Sequence, residues 1–537
     1  MRWILGHVVW FSQPGCGTTV AVPTPLLRQL EGIVGAAWVR RTEADRIAYS
    51  SDMWPRHQIW KMAGDPSRHP PEAVVSPANA DEVASVLRSC ADHGMPIIPF
   101  GGGSGVVGGT VPIRGGVIVD TKRMNRVVAI DDVDLTVTAQ GGINGMHLEE
   151  ELNERGYTLG HFPSSILCST LGGWLAARSA GQLSSKYGKI EDMVVGVKVA
   201  LPSGEVMETG PEQAFDWTQI IVGSEGILGT ILSGTLRIHP QPETRAYRGY
   251  RFRTVEDGLR AIRQVMQSGL APHVVRLYDP FDSLLHSSDG SGGGGVTTML
   301  NPVRELLGRH LGKRKSSGRG KAAALAVALS SPATLNRLLE AVSASCLLII
   351  GFEGAADAVD GDMREARRIL EQTGGVDGGE GPGLRWEKHR YNVSFKQAAI
   401  FQAGAFVDTM EVACTWSRLE GLYDEVRRAV QPHALIMAHF SHAYREGCSI
   451  YFTFLAHKRD PAALERHYER VWNEALTAVV RAGASISHHH GVGYAKRDYM
   501  RREHGAGIRL LYGAKDALDP AGVMNPGKVL PDRAVTR

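Results

Sequence analysis

Hydrophobic residues recur with the period of a helix at 83–90, where apolar side chains occupy positions i, i+3, i+4 and i+7. Asn79 and Glu82 stand before this run as a capping-box pair, and Gly94 follows it. The pattern therefore predicts an amphipathic helix with defined ends. A second helix of this kind is predicted within 144–156, between an asparagine and a glycine.

Short apolar runs bounded by turn residues predict strands at 95–100, 115–120 and 133–139. A hairpin is predicted at 192–209, where Pro-Ser-Gly at 202–204 separates two such runs. Helices and strands thus follow one another closely, which indicates an α+β arrangement.

A second mixed region begins near residue 245. Strands are predicted at 247–253 and 273–279, and a helix is predicted to start at Thr254. A long amphipathic helix is predicted from Asp460, with proline at its first position, to Gly483.

We therefore expect four parts. Residues 1–72 form an N-terminal extension with a helical segment, 73–240 a first domain and 241–480 a second domain. Residues 481–537 form a C-terminal segment that packs back on the first domain. The glycine and basic tract at 289–321 cannot bury a core, so we expect a mobile loop. It is either a plain insertion or a basic lid near an anionic substrate or a membrane.

Composition fits a globular protein of more than one domain, with 537 residues, 43% hydrophobic and 21% charged. A net charge of +3 and few aromatic residues give no nucleic-acid signature. Six scattered cysteines without a CxxC pair indicate a reducing compartment, and we expect a cytoplasmic protein. No apolar run approaches the roughly 20 residues that span a bilayer.

Residues 487–493, Ser-His-His-His-Gly-Val-Gly, are the most informative stretch for chemistry. Three adjacent imidazoles can transfer protons near neutral pH, bind a metal, or form a polar loop. If the stretch is a strand, alternation puts His488 and His490 on one face and His489 on the other, which disfavours one shared metal. We therefore expect proton transfer and no metal.

The glycine loop PFGGGSGVVGG at 99–109 follows a predicted strand, and its N–H groups can turn toward a pyrophosphate. By itself it is equally a tight structural turn. Further loops of small residues occur at 163–173, 176–181 and 223–231, and together the four suit a long, folded dinucleotide.

The order of these loops resembles the FAD-binding domain of the vanillyl-alcohol oxidase (para-cresol methylhydroxylase, PCMH-type) superfamily. The resemblance implies a PCMH-type domain of two α/β subdomains and a cap domain with an antiparallel sheet and flanking helices. The glycine loop contains no His or Cys, so we expect FAD to bind non-covalently. The resemblance places FAD contacts on Pro99, Phe100, Gly101, Gly102, Gly103, Ser104, Gly105, Ser164, Ser165, Ile166, Leu167, Cys168, Ser169, Thr170, Ala177, Arg178, Ser179, Ala180, Glu225, Gly226, Ile227, Leu228, Gly229, Thr230 and Ile231.

The segments SHAYREGCSIYFTF (441–454) and SHHHGVG resemble the alkyldihydroxyacetonephosphate synthase family within this superfamily. The resemblance implies a catalytic tyrosine at Tyr451 and catalytic histidines at His488, His489 and His490. It also implies a substrate-binding arginine at Arg276, in VVRLYD.

Two features depart from that family. Gln397, with Lys396 beside it, stands where the resemblance implies a second substrate-binding arginine, and lysine matches phosphate less rigidly. The tail DPAGVMNPGK is more similar to hydroxy-acid dehydrogenases.

The residues themselves also allow plainer interpretations. Tyr451 lies in an alternating strand, where tyrosine is most often packing. With a usual pKa of about 10 it is a poor base unless histidinium or Arg276 lowers that value. Arg276 could simply form a surface salt bridge with Asp279.

Two functions follow from the resemblance. The first is a transferase that exchanges the acyl group of an acyl-dihydroxyacetone phosphate for a long-chain alcohol through a flavin N5 adduct, as in ether-lipid formation. The second is a 2-hydroxy-acid dehydrogenase or oxidase; a flavin-binding protein without turnover is disfavoured by Tyr451 and the histidines. A lipid or small-molecule substrate is expected, with peripheral membrane contact and a homodimer left open.

Overall fold

The computed structural model describes residues 22–287, 329, 331–342, 345–391, 400–401 and 404–533. Two features singled out in the sequence lie outside these residues: the tract at 289–321, and the pair Lys396 and Gln397. The first 21 residues of the predicted N-terminal extension also lie outside them. The described residues form mixed helices and sheets, which confirms the predicted α+β class.

Two sheets carry the first region of the chain. One has four strands, β1 (Val39–Arg40), β2 (Ala73–Val75), β3 (Ile97–Phe100) and β4 (Val117–Asp120). Its order is β1-β2-β4-β3, and β2, β3 and β4 are parallel. The other has five antiparallel strands in the order β5-β6-β10-β8-β9 and comprises β5 (Val127–Asp131), β6 (Thr136–Gln140), β8 (Val194–Ala200), β9 (Val206–Glu208) and β10 (Thr230–Arg237).

The hairpin predicted at 192–209 is confirmed as β8 paired with β9. The strand predicted at 133–139 begins only at Thr136. The Asp131 carboxylate accepts hydrogen bonds from the N–H groups of Val133 and Asp134, and this local turn replaces the first part of the strand. A separate pair joins β7 (Tyr157–Thr158) to β11 (His239–Pro240).

The second region is built on a seven-stranded antiparallel sheet in the order β15-β12-β14-β13-β17-β18-β16. Its strands are β12 (Thr244–Phe252), β13 (Val274–Tyr278), β14 (Cys346–Gly354), β15 (Val376–Asp377), β16 (Ala405–Thr415), β17 (Leu435–Ala443) and β18 (Gly447–His457). This sheet matches the expected antiparallel sheet of the cap domain.

Helices cover these sheets, and their starts follow the predicted caps. Asn79, Asn144, Thr254 and Asp460 each accept a backbone N–H of the first helical turn, which confirms all four predicted helix starts. The helices are α1 (Thr24–Val34), α2 (Glu43–Ala48), α3 (Arg56–Met62), α4 (Ala80–Asp92), α5 (Gly145–Asn153), α6 (Leu171–Ala177), α7 (Ser184–Tyr187), α8 (Ile190–Met193), α9 (Thr218–Ile221), α10 (Val255–Gln267), α11 (Pro280–Ser287), α12 (Pro332–Val342), α13 (Ala356–Gln372), α14 (Gly381–His389), α15 (Trp416–Val430), α16 (Pro461–Arg481), α17 (Met500–His504) and α18 (Ile508–Leu518).

One face of the seven-stranded sheet is apolar and packs under helices. A Cβ atom on Gly258 of α10 would meet the Leu277 side chain, so β13 and α10 are in close contact. On the neighbouring strands, the rings of Phe440 and Phe452 lie 5.5 and 6.3 Å from the ring of Tyr423 in α15. Burial of these aromatic side chains is a large part of the stabilisation of this layer.

The opposite face of the same strands is polar. Tyr451 stands directly opposite His439 on one side and Glu411 on the other, and Arg276 stands opposite Ser441. Residues that face each other in an antiparallel pair share a face, so these polar side chains lie on one face of the sheet, in two adjacent rows. This polar face is the floor of the candidate site.

Residues near the C-terminus contact the first region of the chain. The N–H of Ile97 in β3 donates to the carbonyl of Val523 (2.8 Å), and the N–H of Asn525 donates to the carbonyl of Ile97 (2.7 Å). Among the described residues, no helix combines the length and the apolar character needed to cross a membrane.

Candidate active site

The three histidines lie in a bent loop and not in a strand, so the predicted alternation of their side chains is wrong. The loop bends because the backbone N–H groups of His488, His489 and His490 all donate to one carboxylate, that of Glu411. Three consecutive N–H groups can reach one acceptor only when the chain curves around it. The three imidazoles therefore leave a tight bend, and Nδ1 of His489 lies 3.8 Å from the Glu411 carboxylate.

Glu411 is fully buried and also accepts hydrogen bonds from the Ser487 hydroxyl (2.8 Å) and the Lys496 ammonium (3.2 Å). Both side chains of the Glu411–Lys496 ion pair are 0% exposed. Burial by itself would raise the pKa of the Glu411 carboxyl, but Lys496 and the neighbouring histidines hold it well below its usual range. The carboxylate is thus a permanent charge that fixes the loop. Neither Glu411 nor Lys496 was predicted from the sequence. The polar positions of DTMEVACT (408–415) could have indicated that Glu411 faces a polar site.

The three imidazoles are packed together and are neutral. Nδ1 of His488 lies 3.0 Å from Nδ1 of His489, and the ring of His490 lies 4.7 Å from that of His489. Burial lowers the pKa of all three below the usual histidine value, to about 4 for His490. Nε2 of His488 and Nδ1 of His490 are buried and have no partner among the described residues. Neutral imidazoles with an unused ring nitrogen can exchange protons with a substrate.

Glu411, His488 and His489 also have ligand atoms within 4.8 Å of one another, a spacing at which a metal ion could be held. The Glu411 oxygens already accept the three backbone N–H groups, Ser487 and Lys496. The carboxylate of this donor set is therefore already engaged by the protein itself.

Tyr451 belongs to this cluster. Its ring stacks on His439 (4.7 Å between centroids, 16° between planes) and meets His490 edge to face at 5.3 Å. Its hydroxyl donates to Thr409 Oγ1 at 3.0 Å. Burial raises the pKa of Tyr451 to about 12, although Arg276 lowers it. Arg276 therefore does not bring the pKa of Tyr451 below its usual value, because the loss of solvent around the phenol has the larger effect.

Arg276 contacts His439 and not Asp279. Its Nη2 donates to Nε2 of His439 at 2.7 Å, and Nδ1 of His439 donates to the Asp282 carboxylate at 3.1 Å. Asp279 is instead paired with Arg427 at 3.2 Å, so the simple salt bridge between Arg276 and Asp279 is absent from the described contacts. Nε of Arg276 is buried without a partner among the described residues. A buried guanidinium N–H of this kind suits an anionic group of a substrate.

The loops predicted to hold FAD come together. A Cβ atom on Gly102 would lie 1.9 Å from the carbonyl oxygen of Cys168, so the first two loops touch at a glycine. The N–H of Glu225 donates to the carbonyl of Ala176 at 2.9 Å, which joins the third and fourth loops. Asn525, which the sequence analysis did not single out, donates to the carbonyls of Gly109 and Glu225.

This surface fits a dinucleotide. Within the described part of the chain, the N–H groups of Gly102, Gly103 and Ser104 take part in no hydrogen bond. The hydroxyls of Thr110 and Thr230 are buried and also have no partner among the described residues. Open N–H groups in a glycine loop can receive phosphate oxygens.

Arg178 and Glu225 are already engaged by the protein. Arg178, at the end of α6, has a positive φ of 51° and donates to the carbonyls of Val222 and Gln219. Glu225 accepts the N–H groups of Val492 (2.6 Å) and Gly493 (2.9 Å), and burial raises its pKa to about 7. Glu225 thereby ties the fourth FAD loop to the histidine loop.

Comparison with known proteins also indicates a protein that binds FAD. Residues 71–210 match the family model described as FAD binding domain, and residues 241–529 match that of FAD linked oxidases, C-terminal domain. The second match alone covers more than half of the chain. The chain belongs to the FAD-linked oxidase family. FAD is therefore its cofactor.

The relatives of this chain include alkyldihydroxyacetonephosphate synthases. It is 30% identical to alkyldihydroxyacetonephosphate synthase of Dictyostelium discoideum over 479 residues, which are 86% of this chain and 74% of that protein. A solved alkyldihydroxyacetonephosphate synthase structure superposes with a TM-score of 0.73 at 27% identity, over 95% of this chain and 86% of the other. p-Cresol methylhydroxylase shares the fold, with a TM-score of 0.66 at 15% identity over 95% of this chain and 96% of the other. These similarities confirm the synthase-like, PCMH-type resemblance.

Acid precipitation tests how the FAD is attached. The glycine loop offers no His or Cys, so we expect the yellow colour to leave the denatured pellet and appear in the supernatant. Flavin that stays on the pellet would contradict the non-covalent prediction. Cys168 in the second loop has an exposed thiol, so release of the flavin by Cys168→Ser would then place the attachment on that residue.

Replacing Glu411 tests the buried carboxylate. Glu411→Gln leaves Lys496 as an unpaired buried charge, so we expect the free energy of unfolding to fall by about 3–5 kcal/mol. Denaturant titration measures the change, and Glu420→Gln, an exposed glutamate in α15, is the matched control. Equal stability of the two variants would contradict the role given to Glu411.

Proposed function

We propose that the protein is an FAD-dependent transferase that exchanges the acyl group of an acyl-dihydroxyacetone phosphate for a long-chain alcohol. The observation that carries this proposal is the single cluster of Tyr451, the three imidazoles and Arg276 on the polar face of the seven-stranded sheet. The 30% identity to a synthase supports the same substrate class.

Each group has a distinct part in this reaction. Arg276, with its buried and unused Nε–H, binds the phosphate of the substrate. An imidazole of His488 or His490 accepts a proton through its unpartnered ring nitrogen, because neutral imidazole is the protonation state at neutral pH. Tyr451, as a protonated phenol, donates a hydrogen bond or a proton to a substrate oxygen, and becomes a base only after transferring its proton to an imidazole.

The cofactor loops hold the FAD against this cluster. The open N–H groups of Gly102, Gly103 and Ser104 receive its pyrophosphate, and Glu225 sets the distance between the cofactor loops and the histidine loop. When bound, FAD supplies a ring that accepts electrons from the substrate carbon. The cluster is partly buried, and its low-dielectric surroundings strengthen each electrostatic contact.

A dehydrogenase of 2-hydroxy acids is the second candidate, favoured by the protonation states. Removal of a hydroxyl proton needs a neutral base, which the three imidazoles are, whereas a base at Tyr451 needs a phenolate that burial opposes. Arg276 would then bind the carboxylate of the substrate. The two candidates differ in what happens to the electrons and can be separated by one experiment.

Tyr451→Phe tests the proton-transfer role. We expect the variant to keep its FAD and its fold, and to lose turnover by a factor of about 10²–10⁴, the usual scale of general acid–base catalysis. Tyr512→Phe, which removes a phenol from α18, is the control. Near-normal turnover in Tyr451→Phe would leave that residue as packing only.

The anaerobic flavin spectrum separates the two candidates. The transferase should form an ether from acyl-dihydroxyacetone phosphate and a fatty alcohol without any electron acceptor, and 2-hydroxy acids should leave the oxidised spectrum unchanged. A dehydrogenase should be bleached by a 2-hydroxy acid and recover only with an acceptor. Stable bleaching without any alcohol-dependent product would overturn the transferase proposal.

A further inference from the structure

His442 adopts a backbone conformation that its sequence pattern does not predict. Along β17 the alternation that puts His439 and Ser441 on the polar face would turn residue 442 toward the apolar helices. The pairing of β17 with β18 instead shifts register between Ser441 and Ala443, and His442 has a positive φ of 53°. A β-bulge with a non-glycine residue in this region costs energy and re-aims one side chain.

The bulge brings the imidazole of His442 into the cluster. Its ring lies 4.8 Å from the ring of His489 and 5.4 Å from that of His488. His442 is thus a fourth imidazole beside the three of the histidine loop. Burial and the neighbouring His489 keep its pKa well below the usual value, so this ring is neutral as well.

A serine hydroxyl contacts the ring, and a tyrosine hydroxyl binds that serine. Ser184 Oγ lies 2.7 Å from Nδ1 of His442, and the Tyr444 hydroxyl donates to Ser184 Oγ at 3.2 Å. Ser184 Oγ thus accepts a hydrogen bond from Tyr444, and among the described contacts Nδ1 of His442 is the acceptor within reach of its own O–H. Nδ1 is then the acceptor, and the proton of the neutral imidazole resides on Nε2.

This contact joins two regions of the chain. Ser184 begins α7, which follows the predicted FAD loops, whereas His442 and Tyr444 belong to the seven-stranded sheet and the turn after it. Ser185, the next residue, accepts the N–H of Ala443 at 3.1 Å and fixes the backbone of the bulge. The hydroxyl and the strained histidine are therefore set in place by the packing of α7 against the sheet.

We propose that Ser184 and Tyr444 fix His442 in its Nε2–H form, and that His442 is a positioning residue for the catalytic imidazoles. With Nδ1 bound to Ser184, the proton of His442 is on Nε2, in a ring that lies beside the imidazoles of His488 and His489. That N–H group sets which nitrogen of the linked His488–His489 pair carries the proton. The proposal rests on the proton-transfer role of the histidine loop, but it makes a statement about tautomers that can be tested without any substrate.

Ring nitrogen NMR of the FAD-bound protein, labelled with ¹⁵N-histidine, measures the tautomer directly. His442→Gln assigns the signals of residue 442. We expect Nδ1 of His442 to be the unprotonated nitrogen in the unmodified protein, and Ser184→Ala to give a mixture of the two tautomers. Ser184→Thr retains the hydroxyl and should restore the single tautomer. Ser417→Ala, which removes an exposed hydroxyl in α15, should leave it unchanged.

Turnover provides the second measurement. Ser184→Ala should lower kcat by about 10- to 100-fold, the usual effect of removing a partner that orients an imidazole, with little change in KM or FAD content. The proposal is overturned if Nδ1 of His442 is protonated, or if Ser184→Ala leaves the tautomer unchanged. If the tautomer responds as expected but neither proposed substrate class is converted, the proposed function fails and the positioning role stands.

Discussion

The buried carboxylate of Glu411 is the interaction on which the candidate site depends. A carboxylate without solvent is tolerated only when hydrogen bonds and an opposite charge replace the lost water, and Glu411 obtains both from one loop and its continuation. The three histidine N–H groups, the Ser487 hydroxyl and the Lys496 ammonium all converge on it. The charge and the bent loop therefore require each other.

Glu225 connects the same histidine loop to the loops predicted to hold FAD. Five backbone N–H groups between residues 488 and 493 are taken by two carboxylates, three by Glu411 from the sheet and two by Glu225 from an FAD loop. Gly491 lies between the two sets with a φ of 83°, and a Cβ atom there would lie 2.9 Å from the Glu225 carboxylate. This is the physical reason for glycine directly after the three histidines. The loop is held by the seven-stranded sheet on one side and by a predicted FAD loop on the other. The imidazoles therefore keep a fixed position relative to the predicted FAD loops.

The same burial that orders the site determines its protonation. It lowers the pKa of the imidazoles and raises that of Tyr451, so the site holds neutral bases beside a neutral acid. Such a pair can move protons without building up charge in a partly buried site. Arg276 is a cationic side chain on the polar face of the sheet, and its guanidinium suits a substrate with an anionic group there.

The sequence by itself determined the class of fold, the helix starts and the cofactor family. These features depend on local signals: capping residues before apolar helical runs, alternating strands, and glycine loops in a recognisable order. It also predicted site roles for Tyr451, Arg276 and the three histidines, because their motifs resemble a known family, and these roles stay predictions. The tertiary structure decided how they are used. Glu411 and Lys496 lie 85 residues apart in the chain, and Ser184 and His442 lie 258 apart, so no local pattern relates them. Protonation was likewise decided by the fold, because the pKa of a side chain depends on the solvent and charges around it, which only packing supplies.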